Sequence, residues 1–347
     1  MTVANVHLPE GEDLAEALLD LAVPHEDIGE LLALRRRVTA DPGLRRMLEE
    51  GARSLVESIG RIDSADGLPR PELPEQGSAS GTTVGRGHGP VSSDAVARCF
   101  PVYVFVAVLP YVRDHHRARS VPEEVSRRTL ADLGRQMAVH RRAQGTGGLV
   151  APQWLRLHFT GLLYELGRLQ FERGKLGKPL GSAVAAAGLP LGPGDDVLGL
   201  HIPDYLGPLA PGACDRSLAR ARQFFACSFP ETTYRVAECH SWLLDPQLVE
   251  YLPQESNVRR FQERFHVVHT DDEPSDEVPV GFVFGHMDLV PAELPRRTSL
   301  ERAIGDHLRA GRHWHSGHGW FELESSWGCG AMGGLARTRH EGTDVGW

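Results

Sequence analysis

Apolar residues recur at every third or fourth position over residues 12–60, which predicts amphipathic helices. Leu14, Leu18 and Leu21 form one stripe, Ile28, Leu31 and Leu32 a second, and Leu44, Leu48, Leu55 and Ile59 a third. Asp41-Pro42 marks a helix start, with proline at the first helical position. The period vanishes over residues 63–93, a stretch rich in Pro, Gly and Ser that reads as a long loop or linker. Helical pattern resumes at Asp94. The apolar run Cys99–Leu109, CFPVYVFVAVL, is too short to span a bilayer and reads as buried helix. Val125, Leu130, Leu133 and Met137 continue the pattern, and so does Trp154–Leu166.

Past residue 167 the period changes to two. Leu169, Phe171 and Arg173 alternate with Arg168, Gln170 and Glu172, and Val197–Pro203 alternates as well, so the two segments are expected to pair as antiparallel strands. A helix over Asp215–Phe229, a strand over 234–244, a helix over 256–265, a strand over Val278–Gly285 and a helix over Ser299–Ala310 follow. Residues 325–347 are Gly-rich and aperiodic and read as a disordered tail. The predicted fold class is therefore α+β. A helical domain covers residues 1–150 and a mixed-sheet domain covers 151–324.

Composition changes this picture little. The net charge of −9 argues against nucleic acid as a partner. Lysine occurs only at 175 and 178, with arginine carrying the rest of the positive charge, a bias typical of GC-rich, actinobacterial genomes. The five cysteines are odd in number and form no C-x-x-C pair, so neither a disulfide framework nor a zinc site is expected. With no basic, apolar leader and no span, the reading is cytoplasmic, with no membrane partner.

Two features carry candidate chemistry. The strand over 234–244 places Glu238 and His240 on one face with Trp242. The helix opening at Ser256-Asn257 carries Arg259 and Arg260 in its first turn, and free backbone N–H groups, an N-cap hydroxyl and arginines make an anion site.

Several strings carry a family resemblance: VFVAVLPYVRDHHRARSVPEEVSRRTLADLGRQM (104–137), WLRLHFTGLLYELGRLQFER (154–173), LGLHIP (198–203), CHSWLLDPQLVEYLPQESNVRRFQERF (239–265) and ELPRRTSLERAIGDHLRAGRHW (293–314). The chain resembles the actinobacterial two-domain acyltransferases, which join a helical N-acyltransferase N-terminal domain to a domain like the Gcn5-related N-acetyltransferases (GNAT). The long-chain N-acyltransferases of teicoplanin-type glycopeptide biosynthesis share that architecture. The resemblance implies transfer of an acyl group from acyl-CoA to a small-molecule or peptide amine. An acyl-carrier protein offers the same pantetheine arm and is a second possible donor. In GNAT folds one strand splays from its neighbour and binds the pantetheine, and the next loop and helix hold the pyrophosphate. The resemblance places that strand at 234–244, with Trp242, Leu243 and Leu244 at its end, and the pyrophosphate at Ser256, Asn257, Arg259 and Arg260. The loop YLPQESN departs from the usual Gly-rich phosphate loop, which keeps a non-catalytic pantetheine-binding module as the alternative.

Aminolysis of a thioester needs a base that keeps the amine neutral. His201 is the first candidate, an imidazole opposite Leu198, Leu200 and Ile202, just before Pro203 ends the strand. His240 is the second, and Glu238 is a third that could act through water. His313, His315 and His318 lack close cysteine or carboxylate partners, so no metal is expected. Asp114-His115-His116 lies among arginines and reads as a solvated helix face.

Overall fold

A computed structural model of the protein describes residues 7–62, 94–149, 151–285 and 290–323. The predicted linker at 63–93 and tail at 325–347 lie outside the described residues. Seven helices come first: α1 (Gly11–Asp20), α2 (His25–Ala40), α3 (Pro42–Ser58), α4 (Ala95–Ala118), α5 (Glu123–Leu130), α6 (Asp132–Gln144) and α7 (Pro152–Phe159). The leucines that set the sequence period are the buried ones: Leu14, Leu18, Leu21, Leu31, Leu48 and Leu55 join one core with α4. Asp41 starts α3 as expected, its carboxylate accepting from the Gly43 and Leu44 N–H groups with Pro42 in the first turn.

α4 is the axis of this half. It is long and apolar enough to cross a membrane, but 78% of its most apolar window is buried inside the protein. The helix runs through Pro101 and Pro110 rather than stopping at the second, because neighbours on all sides outweigh the lost backbone bonds. The solvated face expected at its end holds for Asp114, which is exposed, and fails for His116. His116 is 1% exposed. Its Nδ1 lies 2.8 Å from Ser126 Oγ and its ring packs 5.4 Å from that of Tyr164. Polar residue type misleads here, because α4 ends under α5 and the sheet.

The second half is a six-stranded sheet in the order β1-β2-β3-β4-β6-β5. The strands are β1 (Leu163–Glu165), β2 (Gln170–Lys175), β3 (Asp196–His201), β4 (Val236–Ser241), β5 (His266–Thr270) and β6 (Gly317–Glu322). The helices between them are α8 (Lys178–Ala186), α9 (Pro211–Ser228), α10 (Asn257–Gln262), α11 (Glu277–Phe284) and α12 (Ser299–Arg309). The predicted antiparallel hairpin is present as β2 and β3, with Phe171 opposite Leu200. α12 carries a full capping box, Thr298 with Glu301.

Three element assignments change. The helical pattern over Trp154–Leu166 breaks at Gly161, whose φ of +67° and contact with the His115 ring admit no side chain, and β1 follows. The predicted strand over Val278–Gly285 is α11, ended by Gly285 at φ +75°. Its apolar run has no period, so neighbours decide, and it packs against α12 with Phe282 on Trp242. The strand expected over 234–244 stops at Ser241, and Trp242–Leu244 form a 3₁₀ turn. Among the described cysteines, Cys99, Cys214 and Cys239 are free and buried, and Cys227 is disulfide-bonded.

Register gives the sheet two different faces. Phe171, Leu198, Leu200, Ala237 and Cys239 share one, packed with Phe224, Phe225 and Phe229 around α9. Gln170, Glu172, His201, Glu238, His240 and His318 share the other. On that face α8 covers only the end holding Val197, Val236 and Trp320.

The buried histidines set an acid limit on stability. Burial, helped by Arg119 and Arg173, pushes His115 down from 6.5 to about 4, and burial pushes His116 to about 3. Below pH 6.5 the unfolded chain binds these protons and the folded chain does not, so stability falls from there toward pH 4. The slope is at most about 1.4 kcal/mol per pH unit for each histidine. Urea unfolding at pH 7 and pH 5 should show this loss, and His116→Gln should flatten it.

Candidate active site

β3 and β4 are the parallel neighbours in this sheet, and they share only two register pairs, Leu198 with Ala237 and Gly199 with Glu238. Beyond these the strands part. His201 at the end of β3 and His240 near the end of β4 flank the opening on the polar face.

His201 is paired rather than free. Its Nε2 lies 2.8 Å from Glu172 Oε2. Cross-strand geometry explains this: His201 faces Gln170 directly, and Glu172 is the diagonal neighbour on the same face. An ionised carboxylate only accepts, so Nε2 carries the proton and Nδ1 is the basic atom. About a quarter of the His201 side chain is exposed, enough for solvent or substrate to reach it. Across the opening, His240 Nε2 lies 2.9 Å from Asp271 Oδ2. Glu238 Oε2 lies 3.4 Å from His318 Nε2, and His318 packs against both His240 and His269. The structure thus brings the three sequence candidates, His201, Glu238 and His240, to one face. Among the described residues no cluster has the geometry of a metal site.

Behind His201 lies a buried polar network joining the two halves. Asp132, the first residue of α6, is 1% exposed, and Glu165 in β1 is 3% exposed. Arg135 reaches both, with Nε 3.0 Å from Asp132 and a terminal nitrogen 3.0 Å from Glu165. Arg128 donates to Glu165 at 2.8 Å, and Tyr205 Oη donates to the same carboxylate at 2.9 Å. Burial opposes ionisation of Asp132, but His158 and Arg135 beside it hold its carboxyl below the ordinary range. Burial pushes His158 down against the pull of Asp132, and the Arg135 charge adds to that lowering. His158 Nδ1 donates to the Trp154 carbonyl at 3.2 Å.

The loop from β3 to α9 carries Tyr205 and leads to a cavity of about 340 Å³ at the start of α9. Arg128, Arg168, Arg216 and Arg220 line it, with Ser217 and Leu206. Arg168 braces the loop by donating to the Pro203 and Pro208 carbonyls. Arg216 and Arg220 are exposed and one helical turn apart, at the sixth and tenth positions of the 18-residue α9. The sequence reading missed this group of four arginines. Its arginines come from three separate segments, and only the fold joins them.

The chain matches two family models, an N-acyltransferase N-terminal domain over residues 12–161 and a GNAT-like C-terminal domain over residues 163–321. Among solved structures it is similar to an acyltransferase in complex with decanoyl-CoA and teicoplanin, at 38% identity and a TM-score of 0.75, over 92% of this chain and 91% of that one. It is also similar to an acyltransferase mutant in complex with octanoyl-CoA (38% identity, TM-score 0.76, the same coverage). A third match is an acyltransferase in complex with CoA and 10C-teicoplanin (38%, 0.75, the same coverage). No match is found among curated proteins. The chain belongs to this two-domain N-acyltransferase family.

In this acyltransferase the residues read as pantetheine and pyrophosphate ligands are engaged within the protein. Trp242, Leu243 and Leu244 are buried core side chains, and the Leu243 carbonyl accepts from Gln262 Nε2 at 2.8 Å. Ser256 caps α10, accepting from the Arg259 N–H at 3.2 Å, while the Arg259 guanidinium donates to the Leu252 carbonyl. α10 begins at Asn257 and has six residues, and Arg260 on it is exposed.

Because Asp132 holds Arg135, Gln136 and the Trp154 indole together, Asp132→Ala should cost about 3–5 kcal/mol in urea unfolding, as removal of one member of a buried ion pair does.

Proposed function

We propose that this acyltransferase moves an acyl group from acyl-CoA to an amine of a glycopeptide-type acceptor, with His201 as general base. The observation that carries the reading is the Glu172–His201 pair at the opening between β3 and β4, directly before the loop to the arginine-lined cavity. The amine nitrogen attacks the thioester carbonyl, its proton passes to Nδ1 of His201, the C–N bond forms, and the C–S bond breaks to release the thiolate of CoA, which takes a proton back from the imidazolium. Glu172 stabilises the imidazolium that forms, and no covalent enzyme intermediate is needed. Glu238 and His240 stand across the opening, paired with His318 and Asp271. The donor's phosphates sit at Arg168, Arg216 and Arg220 beside the start of α9, in place of Ser256, Asn257, Arg259 and Arg260. Bound acyl-CoA in the similar structures supports CoA over a carrier protein as the donor, and bound teicoplanin supports the acceptor class.

The test is steady-state turnover with decanoyl-CoA and a teicoplanin-type aminosugar acceptor. His201→Ala should lower kcat by about 10²–10⁴, the usual contribution of a positioned base. Paired Arg216→Ala and Arg220→Ala changes should raise KM for acyl-CoA at least about tenfold and leave kcat near its original value, since phosphate contacts supply uniform binding. An active His201→Ala enzyme would remove the base assignment, and an unchanged KM would remove the phosphate assignment.

A further inference from the structure

The helical half brings two α7 side chains to the surroundings of His201, and one of them, Trp154, touches its ring. Trp154, in the first turn of α7, lies edge-on to the His201 ring with centroids 4.9 Å apart and planes at 71°. The indole is itself fixed. Its Nε1–H donates to Asp132 Oδ2 at 2.9 Å, and Asp132 is held by Arg135 and Gln136. The ring also packs edge-on against His158 one turn along the same helix, at 5.2 Å. His201 ends its strand and has one hydrogen-bonded side-chain partner among the described residues, Glu172. One hydrogen bond leaves an imidazole free to swing about it, and a second contact from another direction removes that freedom.

We propose that Trp154 is a positioning residue for His201: with Glu172 it locks the imidazole in the orientation and tautomer that leave Nδ1 as the free base. The helical domain then takes part in proton transfer as well as covering the sheet. This inference rests on His201 being the base. The groups that face His201 are Glu172 and Gln170 from β2, and Trp154 and His158 from α7. Asp132 and Arg135 lie one shell behind, through the indole.

The test compares Trp154→Leu, Trp154→Met and Trp154→Phe with the wild-type enzyme, using decanoyl-CoA and a teicoplanin-type acceptor. It also records the imidazole nitrogen resonances of the histidine-labelled protein, with His201→Ala to assign the signal. In the wild type His201 should show a protonated Nε2 and a bare Nδ1. Trp154→Leu should mix the tautomers and lower kcat about ten- to a hundredfold, the scale for a misplaced catalytic group, with KM for the donor changed less than about twofold. Trp154→Phe should restore most of kcat and the single tautomer, because an aromatic edge is kept. If Trp154→Leu does not fold, judged by its circular dichroism and unfolding midpoint, Trp154→Met carries the comparison. Folded variants that keep both kcat and the wild-type tautomer overturn the proposal. So does a loss of kcat with the tautomer unchanged, which makes Trp154 a structural or substrate-contact residue. Full activity of His201→Ala would instead overturn the base assignment, and the role of Trp154 with it.

Discussion

Two carboxylates buried between the halves, Asp132 and Glu165, constrain most of what surrounds the site. Neither could stay ionised alone, since an unpaired buried carboxylate costs several kcal/mol. Arg135 resolves this by reaching both at once, and Arg128 adds a second guanidinium to Glu165. An apolar interface of the same volume could be as stable. What the ionic set adds is geometry. A planar guanidinium bonded to two carboxylates fixes α6 relative to β1, and the remaining lone pairs then fix two aromatic groups, the Trp154 indole and the Tyr205 hydroxyl. Arg135 also stacks over the Tyr205 ring at 4.3 Å. The loop to α9 and the wall beside His201 are therefore set by the same ions.

The sheet supplies the other constraint. With a side-chain period of two, the register that sends Phe171, Leu200 and Ala237 to the α9 core also sends Glu172, His201 and Glu238 to the opposite side. A one-residue slip in β3 would bury His201 against phenylalanines and expose leucines. The energy of the apolar face thus holds the polar face in register. α8 closes one end of that face with Leu180 and Val184, and the parting of β3 from β4 leaves the other end open.

The helical half was legible because its period repeats over many turns, and the leucine stripes at 14, 18 and 21 are buried as read. So were the β2–β3 pairing and the side of the sheet that His201 takes. Other features depended on neighbours far along the chain. The run over 278–284 is apolar without a period, and such a run settles as helix or strand only by what packs on it. His115 and His116 carry polar side chains in an arginine-rich string, yet α4 drives them under α5. Glu172 was indistinguishable from any charged strand residue until register placed it diagonally from His201.

The missing glycines of the loop before α10 lose their weight once the topology is in view. The strand that parts from a parallel neighbour is β3, and the helix that follows it is α9, which is why the phosphate site proposed above lies on α9 and not on α10. The segment over 250–262 lies after the second strand of the pair, with Arg259 bonded to its own backbone and Arg260 exposed. Around α9 the charge balance is different. Asp215 is drawn off to Arg264, Arg168 is spent on carbonyls that carry no full charge, and Arg216 and Arg220 stand exposed on one face. Arg128 completes the wall from the helical half, anchored on the same Glu165 that Arg135 and Tyr205 share. An anion held there would meet both halves of the chain, through the carboxylates that also fix the wall beside the base.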